Sequence, residues 1–520
     1  MIIPSRLLVA AAFIAVANST VASATPLIRN AGQSMYTARP FLRYEHTPPR
    51  PPAPRYRITM ADVMRSRAGG WQQVTNASFF GANGAGTALL MTDGTVMVQD
   101  NAANWYSLAP NKSGNYVHGK WTQKASLPSG YGPLYFASAV LADGKLVVNG
   151  GEYNFFHGTE TNLGAIYDPV ADTWTSVSPP GGWSEIGDAS SVVLADGTYM
   201  IGNCCFSSQA LLSEGTLTWT MTGAGKADTN SEEGWTLLPN GKVLTADVFG
   251  EPNSERFNPS NGSWSSAGTV PVNLINQFEI GPQVLRPDGT VFVAGGSQHT
   301  AIYNTHNRRW SAGPDFPIVA GQQLDVADGP ASLLPNGDVL VAASPGVYLA
   351  PASILVFDGA HFTTVAAPPN APNDSSYNIR LLVLPTGQVL ETDSSDDVEI
   401  YTPGGAPDRS IAPAISSVPT TLTHGNTYTV SGIRFNGFSQ ANAYGDDAQA
   451  ATNYPLVRIR NNATGHIFYA RTHDHSFMGV ASQATVSTMF DVPSTIELGA
   501  STLVVVANGI HSPPVDVTIN

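Results

Sequence analysis

Short apolar runs recur along the chain in pairs, and a glycine-containing turn separates the two members of each pair. Runs such as Ala139–Leu141 before a turn and Lys145–Val148 after it have the length and composition of β-strands. Six of the seven turns contain an Asp-Gly or Asn-Gly pair, which supplies positive φ to a two-residue hairpin turn. The turn glycines lie 50, 53, 44, 48, 48 and 50 residues apart, at Asp93-Gly94, Asp143-Gly144, Asp196-Gly197, Asn240-Gly241, Asp288-Gly289, Asn336-Gly337 and Thr386-Gly387.

Most of these units continue into an aromatic-rich third strand, such as Ile166-Tyr167-Asp168-Pro169. A lone large aromatic residue then marks a fourth strand, at Trp121, Trp174, Trp219, Trp264, Trp310 and Phe362. A four-stranded repeat of about 50 residues is typical of a kelch-like β-propeller blade. The alternative is a long β-sandwich with evenly spaced turns, but turn and aromatic residues recur in phase. We therefore predict an all-β chain with a seven-bladed kelch-like β-propeller over residues 69–404.

The seventh unit lacks its fourth-strand aromatic residue. Its third strand ends at Tyr401-Thr402-Pro403, and no Trp follows. The missing residue lies upstream of the first turn, at Trp71 in Gly70–Val74. We therefore expect the N-terminal strand to complete the last blade, which closes the ring and removes free sheet edges.

The regions on either side of the propeller differ from it in residue pattern and composition. Residues 1–24 read as a signal peptide, because Arg6, an apolar run and Ala22-Ser23-Ala24 follow in that order. Residues 25–68 read as a proline-rich arm. After a Gly-Pro linker, short alternating strands over residues 411–520 predict an immunoglobulin-like β-sandwich. We expect a secreted or periplasmic protein.

The composition supports a turn-rich β protein. Charged residues make up only 12% of the chain, which also contains 50 Gly and 38 Pro, and this argues against long helices. The formal net charge is -14 and no basic stripe is present, so nucleic acid is not an expected partner. No stretch has the roughly 18 consecutive apolar residues of a membrane helix. We expect a monomer without an integral membrane span.

The two cysteines are neighbours, Cys204 and Cys205. Neighbouring cysteines in an exported protein cannot form a long-range cross-link. They form either a vicinal disulfide or two thiols, and the alternative to both is a pair of small buried residues without a role.

A ring of side chains is predicted at one mouth of the propeller, where the first strands of all blades converge. The residues eight positions before each turn are Ala85, Tyr135, Asp188, Glu232, Ile280, Asp328 and Asn378. Carboxylates held close together raise one another's pKa or bind a cation. We therefore predict Asp188, Glu232 and Asp328 as catalytic acid–base residues, with Glu279 and Asp325 nearby. Solvent-facing residues at strand starts are the alternative.

Loops that follow the second strands return to the same mouth and contain several aromatic residues. Sugar rings stack their C–H faces on aromatic side chains, while amide and carboxylate oxygens accept hydrogen bonds from hydroxyl groups. We predict Tyr135, Tyr153, Phe155, Phe206 and Asn378 as substrate-binding residues. Packing between blades is the alternative role for part of this aromatic set.

The C-terminal region contains two histidines in alternation, His473 and His475. Alternating residues of a strand lie on one face, as a pair of metal ligands requires. We therefore consider both histidines as metal ligands. A hydrogen-bonded interface histidine is the alternative.

A seven-bladed kelch propeller followed by a sandwich resembles galactose oxidase and its glyoxal-oxidase relatives. The resemblance covers most of the chain and is strongest at Tyr377–Gly387, which is similar to the last-blade Tyr-His strand of that family. It is also strong at Arg471–His473, which is similar to the family's Thr-His turn. The resemblance implies a copper site made of two Tyr and two His, with one Tyr cross-linked to Cys. It assigns Tyr377 and His473 to that site.

The remaining positions of the copper site depart from the family pattern. Asn378 stands at the second His, Asp188 at the cross-linked Tyr, and Tyr135 near its Cys partner. Cys204 and Cys205 lie instead near the Trp that stacks over the cofactor of the family. Because the radical needs both Tyr and Cys, we expect no Tyr–Cys cofactor. The cofactor is otherwise unknown, with a divalent metal as one option.

Three functions fit these observations. The first is an exported carbohydrate-active or carbohydrate-binding protein with its site at the propeller mouth, where carboxylates perform acid–base chemistry if it is catalytic, assisted by Tyr377 and His473. The second is a copper-dependent oxidoreductase of the galactose-oxidase type without the cross-link. The third is a non-catalytic glycan-binding propeller. A glycan-processing enzyme is favoured over a copper oxidase.

Overall fold

The computed structural model describes residues 69–75 and 80–520. These residues form an all-β propeller. Their only helical elements are four 3₁₀ turns, at Gly81–Asn83, Ala371–Asn373, Ser376–Asn378 and Arg409–Ile411. The predicted signal peptide, residues 1–24, and the proline-rich arm, residues 25–68, lie outside the described residues. No helix in the described part of the chain is long and apolar enough to cross a membrane.

Three antiparallel sheets, each with four strands in chain order, begin the fold. The first sheet comprises Ala88–Leu90, Val96–Gln99, Trp105–Ala109 and Lys120–Gln123. The second comprises Ala137–Val140, Leu146–Asn149, Gly164–Asp168 and Thr173–Ser176. The third comprises Ser191–Val193, Tyr199–Gly202, Gln209–Ser213 and Thr218–Thr222. Segments that precede the first strand of the second sheet and follow its second strand form a smaller separate sheet of Pro133–Leu134, Tyr153–Asn154 and His157–Gly158.

Four further antiparallel sheets follow. The fourth comprises Thr236–Leu237, Val243–Ala246, Asn253–Asn258 and Ser263–Thr269, and the fifth Ile280–Leu285, Thr290–Gly295, Thr300–Asn304 and Arg309–Ala312. A small hairpin of Ile318–Val319 and Gln322–Gln323 precedes the sixth, which comprises Ala331–Leu333, Val339–Ala343, Ser353–Phe357 and Phe362–Thr364. The seventh sheet comprises Arg380–Val383, Val389–Thr392, Glu399–Thr402 and the N-terminal strand Gly70–Gln73.

The N-terminal strand completes the last sheet, as the displaced aromatic residue predicts. Trp71 is the register partner of Tyr401, and their ring centroids lie 5.0 Å apart. The Trp71 indole N–H donates to the Ala366 carbonyl at 2.6 Å. The edge strand therefore comes from the opposite end of the chain, which ties the first and last strands of the propeller together.

The third- and fourth-strand aromatic residues pair across the sheets. Tyr167 lies opposite Trp174, Phe257 opposite Trp264 and Tyr303 opposite Trp310, with ring centroids 5.1, 5.5 and 5.1 Å apart. The indole N–H groups then donate to the preceding sheet or to the segment that follows it, through the pairs Trp174–Ala125, Trp219–Ser178, Trp264–Gln209 and Trp310–Ser254. These four indoles thus link each of the second, third, fourth and fifth sheets to the one before it.

The seven hairpin turns are three-residue loops rather than the predicted two-residue loops. Met91 N donates to the Thr95 carbonyl, Gly94 N donates to the Met91 carbonyl, and only the glycine has positive φ, +77°. The Asp93 carboxylate accepts from Thr95 N at 3.0 Å. Asp or Asn therefore serves as a local acceptor here, while glycine alone takes the left-handed conformation.

The first strands of neighbouring sheets lie against one another from the first sheet to the third and from the fourth to the seventh. The first strand of the seventh sheet also contacts the first strand of the first sheet. The apolar strand residues form layers between neighbouring sheets, so that the core is a series of inter-sheet layers. Polar residues at the strand starts therefore face a common centre.

The C-terminal strands form a separate nine-stranded assembly. They are Ala414–Ser417, Thr421–Leu422, Thr427–Ile433, Leu456–Asn461, Ile467–His473, Val486–Asp491, Gly499–Ala507, Ile510–His511 and Val515–Ile519. One short strand from this region, Asn442–Ala443, instead pairs with Ala331–Leu333 of the sixth sheet. The segment between Ile433 and Leu456 therefore leaves the C-terminal assembly and enters the propeller.

Candidate functional site

Five buried carboxyl groups converge where the first strands begin. Ligand oxygens of Asp188, Glu232 and Asp446 lie within 4.8 Å of one another, and those of Glu232, Glu279 and Asp328 do the same. Each side chain is buried, and Asp446 is 0% exposed. We call these five residues the carboxylate cluster. Glu232 belongs to both groups and is therefore its centre.

Four different sheets and the C-terminal region supply the cluster. Asp188, Glu232, Glu279 and Asp328 precede the first strands of the third, fourth, fifth and sixth sheets in that order. Glu232 and Asp328 have positive φ, 61° and 52°. Asp328 N donates to the Ile280 carbonyl at 3.1 Å. This bond ties Asp328 to the first strand of the fifth sheet, next to Glu279.

Asp446 reaches the cluster on a segment that the propeller holds at several points. Leu237 N donates to Gln440 Oε1 at 2.7 Å, and Ser138 Oγ donates to the Gln449 carbonyl at 2.6 Å. Gly445 lies so close to Asp328 that a Cβ atom would stand 2.4 Å from its Oδ1. Only glycine fits at this approach, and the next residue is Asp446.

Burial and mutual repulsion dominate the electrostatics of the cluster. The pKa of Glu232 is raised well above its usual range, first by burial and then by the carboxylates of Glu279, Asp446, Asp188 and Asp328. Glu232 Oε2 is buried and accepts no hydrogen bond. Five adjacent buried carboxylates cannot all be ionised without a counter-charge, so the cluster holds protons or a cation.

Aromatic residues and one arginine form a wall beside the cluster. The Tyr348 hydroxyl donates to Glu279 Oε1, and the rings of Tyr348 and Tyr377 lie 5.1 Å apart. The Arg380 guanidinium lies 4.1 Å from the Tyr444 ring centroid and 5.6 Å from that of Tyr135. Arg380 Nη1 and the Tyr444 hydroxyl both donate to the Tyr377 carbonyl, at 2.6 and 2.7 Å. The structure thus places Tyr377 beside Tyr348, which contacts the cluster, and Tyr135 beside Arg380.

The other predicted binding residues have different environments. Tyr153 is buried against Tyr135, with ring centroids 6.2 Å apart. Phe155 and Phe206 are 41% and 46% exposed, on loops at the same end of the sheets as the cluster. Asn378 Oδ1 accepts from Ser375 N at 3.1 Å as part of a capping box. Its side chain therefore organises a 3₁₀ turn.

The structure does not bring His473 and His475 to the carboxylate cluster. His473 bonds to Asp474 at 2.9 Å and to Asp491 at 3.2 Å. His475 N donates to the Ala142 carbonyl, beside a hairpin turn at the other end of the sheets. Burial, and then His473, lowers the pKa of His475 to about 3. The C-terminal strands pack against the hairpin turns, so their histidines lie opposite the cluster.

Sequence reasoning missed Asp446, and the segment that enters the propeller is not the one that the resemblance indicates. The available signal was the acidic pair Asp446-Asp447 after Tyr444-Gly445, within a polar stretch between two strands. Glu279 was named only as a neighbour, although it is a full member of the cluster. Asp325 forms a backbone bridge with Ser344 and is not among the groups that meet around Glu232.

Cys204 and Cys205 form a disulfide. Both residues are buried. Glu160 Oε2 lies 3.8 Å from Cys204 Sγ. The pair lies in the loop between the second and third strands of the third sheet, at the same end of the sheets as Asp188.

Comparisons with known proteins agree with a kelch-type propeller. No family model matches the chain. The kelch-like protein terF of Aspergillus terreus (strain NIH 2624 / FGSC A1156) is 26% identical over 266 residues, which are 44% of this chain. The match spans 54% of that relative's length, so the chain covers about half of it.

Two solved structures are similar over larger parts of the chain. A fungal alcohol oxidase of the AA5 family, in complex with copper, aligns at a TM-score of 0.42 and 16% identity, over 87% of this chain and 94% of that one. Virginiamycin B lyase from Staphylococcus aureus aligns at a TM-score of 0.46 and 10% identity, over 64% and 99%.

Proposed function

We propose that the carboxylate cluster is the working site of this protein and that it binds a divalent cation. The observation that carries the proposal is the convergence of five buried carboxyl groups from four sheets and the C-terminal region. Glu232 is their common member, and the charged groups that raise its pKa are all carboxylates. A cation bound there relieves both the repulsion and the burial cost of the ionised groups.

The donor atoms of the cluster indicate the class of cation. Carboxylate oxygens suit hard cations such as Ca²⁺, Mg²⁺ and Mn²⁺. They do not fit the copper site of galactose oxidase, which needs two Tyr, two His and a Tyr–Cys cross-link. A copper radical is therefore no part of the proposed chemistry.

We propose a hydroxyl-bearing small molecule, a carbohydrate, as the ligand of this site. The Tyr135 ring lies 5.6 Å from the Arg380 guanidinium, and the exposed Phe155 and Phe206 lie at the same end of the sheets as the cluster. Sugar rings stack on such aromatic side chains, and sugar hydroxyl groups donate to carboxylates or bind a hard cation. In a catalytic form of the site, Asp188 or Glu232 would accept a proton from a ligand hydroxyl group.

We also propose that the seven sheets are the blades of one closed ring over residues 69–404. The ordered contacts of the innermost strands and the indole hydrogen bonds to preceding sheets support this ring. The C-terminal strands, residues 411–520, would then be an immunoglobulin-like sandwich that supplies Asp446. We further propose that residues 1–24 direct secretion and that the protein is a monomer.

Calorimetric titration with Ca²⁺, Mg²⁺, Mn²⁺ and Cu²⁺ tests the cation site. We expect the parent protein to bind a hard cation, and Glu232→Gln and Asp446→Asn to bind it at least about tenfold more weakly. Asp196→Asn is the matched control, because Asp196 lies at a hairpin turn and accepts only a local bond from Thr198 N that Asn preserves. Equal cation affinity in parent and Glu232→Gln protein would overturn the proposal.

A glycan array in the presence of the bound cation, followed by product analysis of each positive glycan, tests the ligand. Cation-dependent glycan binding supports the proposal, and new products separate an enzyme from a binding propeller. Glycan binding that Asp188→Asn leaves unchanged would place the carbohydrate site elsewhere. If no glycan binds, the carbohydrate part of the proposal is wrong. The cation titration still tests the cation site independently.

A further inference from the structure

The disulfide loop, Asn203–Ser208, lies between two segments that carry cluster residues. Cys204 N donates to the Ile186 carbonyl at 2.9 Å, two residues before Asp188. On the other side, Asn230 Nδ2 donates to the Asn203, Phe206 and Ser208 carbonyls at 2.9, 2.6 and 2.9 Å. Asn230 lies two residues before Glu232. The loop is therefore bonded to the approaches of Asp188 and of Glu232.

The disulfide itself packs directly on the residue before Asp188. Gly187 has φ +72°, and a Cβ atom there would stand 2.5 Å from Cys204 Sγ and 2.4 Å from Glu160 Oε2. Cys204 is fully buried, and Glu160 Oε2 lies 3.8 Å from its sulfur. The sulfur of Cys204 thus has no free space on the Gly187 side or on the Glu160 side.

We propose that Cys204–Cys205 is a redox-active disulfide whose reduction by a small dithiol loosens the carboxylate cluster. A thiolate of the dithiol attacks the sulfur of Cys205, because Cys205 is 5% exposed and Cys204 is fully buried, and forms a mixed disulfide. The S–S electron pair moves to the sulfur of Cys204, which takes a proton. The second thiol of the reductant then displaces Cys205. The products are two cysteine thiols and the cyclic disulfide of the reductant.

Reduction changes the packing around Gly187 because two sulfur atoms that shared a bond must separate. Close-packed interiors transmit such shifts rather than absorb them. Since Gly187 and Glu160 block two directions, the displacement falls on the loop and on its bonds to Ile186 and Asn230. Asp188 and Glu232 lose their fixed separation, and we expect about tenfold weaker cation binding. The cation part of this inference rests on the proposed function.

The test treats the native protein with dithiothreitol and confirms reduction by a mass gain of two hydrogens. Hydrogen exchange is then followed in peptides over residues 184–192 and 228–236, with residues 331–343 of the sixth sheet as an internal reference. We expect faster exchange in the first two peptides only. The double variant Cys204→Ala/Cys205→Ala is the matched control and should not respond to the reductant.

Each outcome decides one part of the inference. A disulfide that resists dithiothreitol in the native protein, or confirmed reduction with unchanged exchange in both peptides, overturns the redox-active element. Faster exchange with equal cation affinity before and after reduction overturns the link to the cluster. If the oxidised protein binds no cation, the proposed function fails, while the exchange measurement still decides whether the disulfide holds these segments.

Discussion

At the scale of single residues, burial is the common property of the carboxyl groups whose pKa is raised. Burial alone raises the pKa of Asp325 to about 7, and burial comes first for Glu232 as well. The two sites differ in their neighbours, because other carboxylates surround Glu232 and not Asp325. A substitution at Asp325 therefore measures the free-energy cost of burying one carboxylate without the effect of neighbouring carboxylates.

We predict that Asp325→Asn raises the free energy of unfolding at pH 8 by on the order of 2 kcal/mol and changes it little at pH 4. The folded-state pKa lies above the unfolded value, so the destabilisation caused by Asp325 grows as pH rises from about 4 to about 7 and is fully present at pH 8. Urea unfolding at both pH values measures this difference. Asp196→Asn, at an exposed turn, should show equal small effects at both. A loss of stability at pH 8 would contradict the prediction.

At the scale of elements, two segments that are distant in sequence complete the propeller. Gly70–Gln73 supplies the edge strand of the seventh sheet, and Asn442–Ala443 pairs with the sixth. Both make their bonds to residues far away in the chain. The contribution of each segment to stability can therefore be tested by removing one side chain that anchors it.

Trp71→Ala should lower the free energy of unfolding by about 2 kcal/mol, since it removes a partly buried indole, its tilted ring contact with Tyr401 and its bond to Ala366. Gln72→Ala, at an exposed position of the same strand, should change it by less than about 0.5 kcal/mol. Chemical denaturation of both variants provides the comparison. Equal stabilities would mean that the edge strand does not hold the last sheet.

Asn442→Ala should lower both stability and cation affinity. Asn442 Oδ1 accepts from Val383 N at 2.9 Å and from Ser332 Oγ at 2.8 Å, and its Nδ2 donates to the Ala450 carbonyl at 2.8 Å. Losing these buried bonds should cost about 3 kcal/mol. Asp446 lies four residues away on the same segment, so its carboxylate should lose its position too.

The measurements for Asn442→Ala are chemical denaturation and cation titration. Asn462→Ala is the control, since Asn462 is exposed in the C-terminal assembly. A variant of reduced stability that retains full cation affinity would show that Asp446 does not depend on this anchor.

At the scale of the whole molecule, several buried acids shift in the same direction. Burial is the first cause for each: the pKa values of Glu232, Glu391 and Glu399 rise well above the usual range, and that of Asp247 rises to about 7. The folded protein therefore keeps protons that the unfolded chain releases. With a formal charge of -14, general repulsion acts in the same direction.

We predict that the free energy of unfolding of the cation-free protein falls as pH rises from about 4.5 to about 7. His475, whose pKa is lowered, acts in the opposite direction. The raised carboxyl groups are more numerous, so the unfolded chain binds fewer protons in total than the folded protein and the slope is negative. A hard cation should restore stability at pH 7, because it replaces protons at the cluster. Urea unfolding with EDTA or with Ca²⁺ measures both effects. Stability that rises with pH in EDTA would contradict the prediction.

The sequence by itself determined the repeat. Turn glycines, strand-length apolar runs and in-phase aromatic residues are local signals, because backbone conformation and strand pairing within a hairpin depend on neighbouring residues. The displaced Trp71 even predicted which strand completes the last sheet. The loop length was wrong, since a side-chain acceptor such as Asp93 and a following glycine fit a three-residue loop equally well.

Only the tertiary structure decided the membership of the carboxylate cluster. Equal offsets from the turns placed Asp188, Glu232 and Asp328 together, but Asp446 arrives on a segment from the other end of the chain. Its position depends on hydrogen bonds such as that from Leu237 N to Gln440, and no local pattern encodes them. The position of His473 also depends on tertiary packing. The C-terminal strands pack on the hairpin turns, so His473 lies at the opposite end of the sheets from the cluster. Long-range contacts, rather than residue type, therefore determine which carboxyl groups meet in the carboxylate cluster.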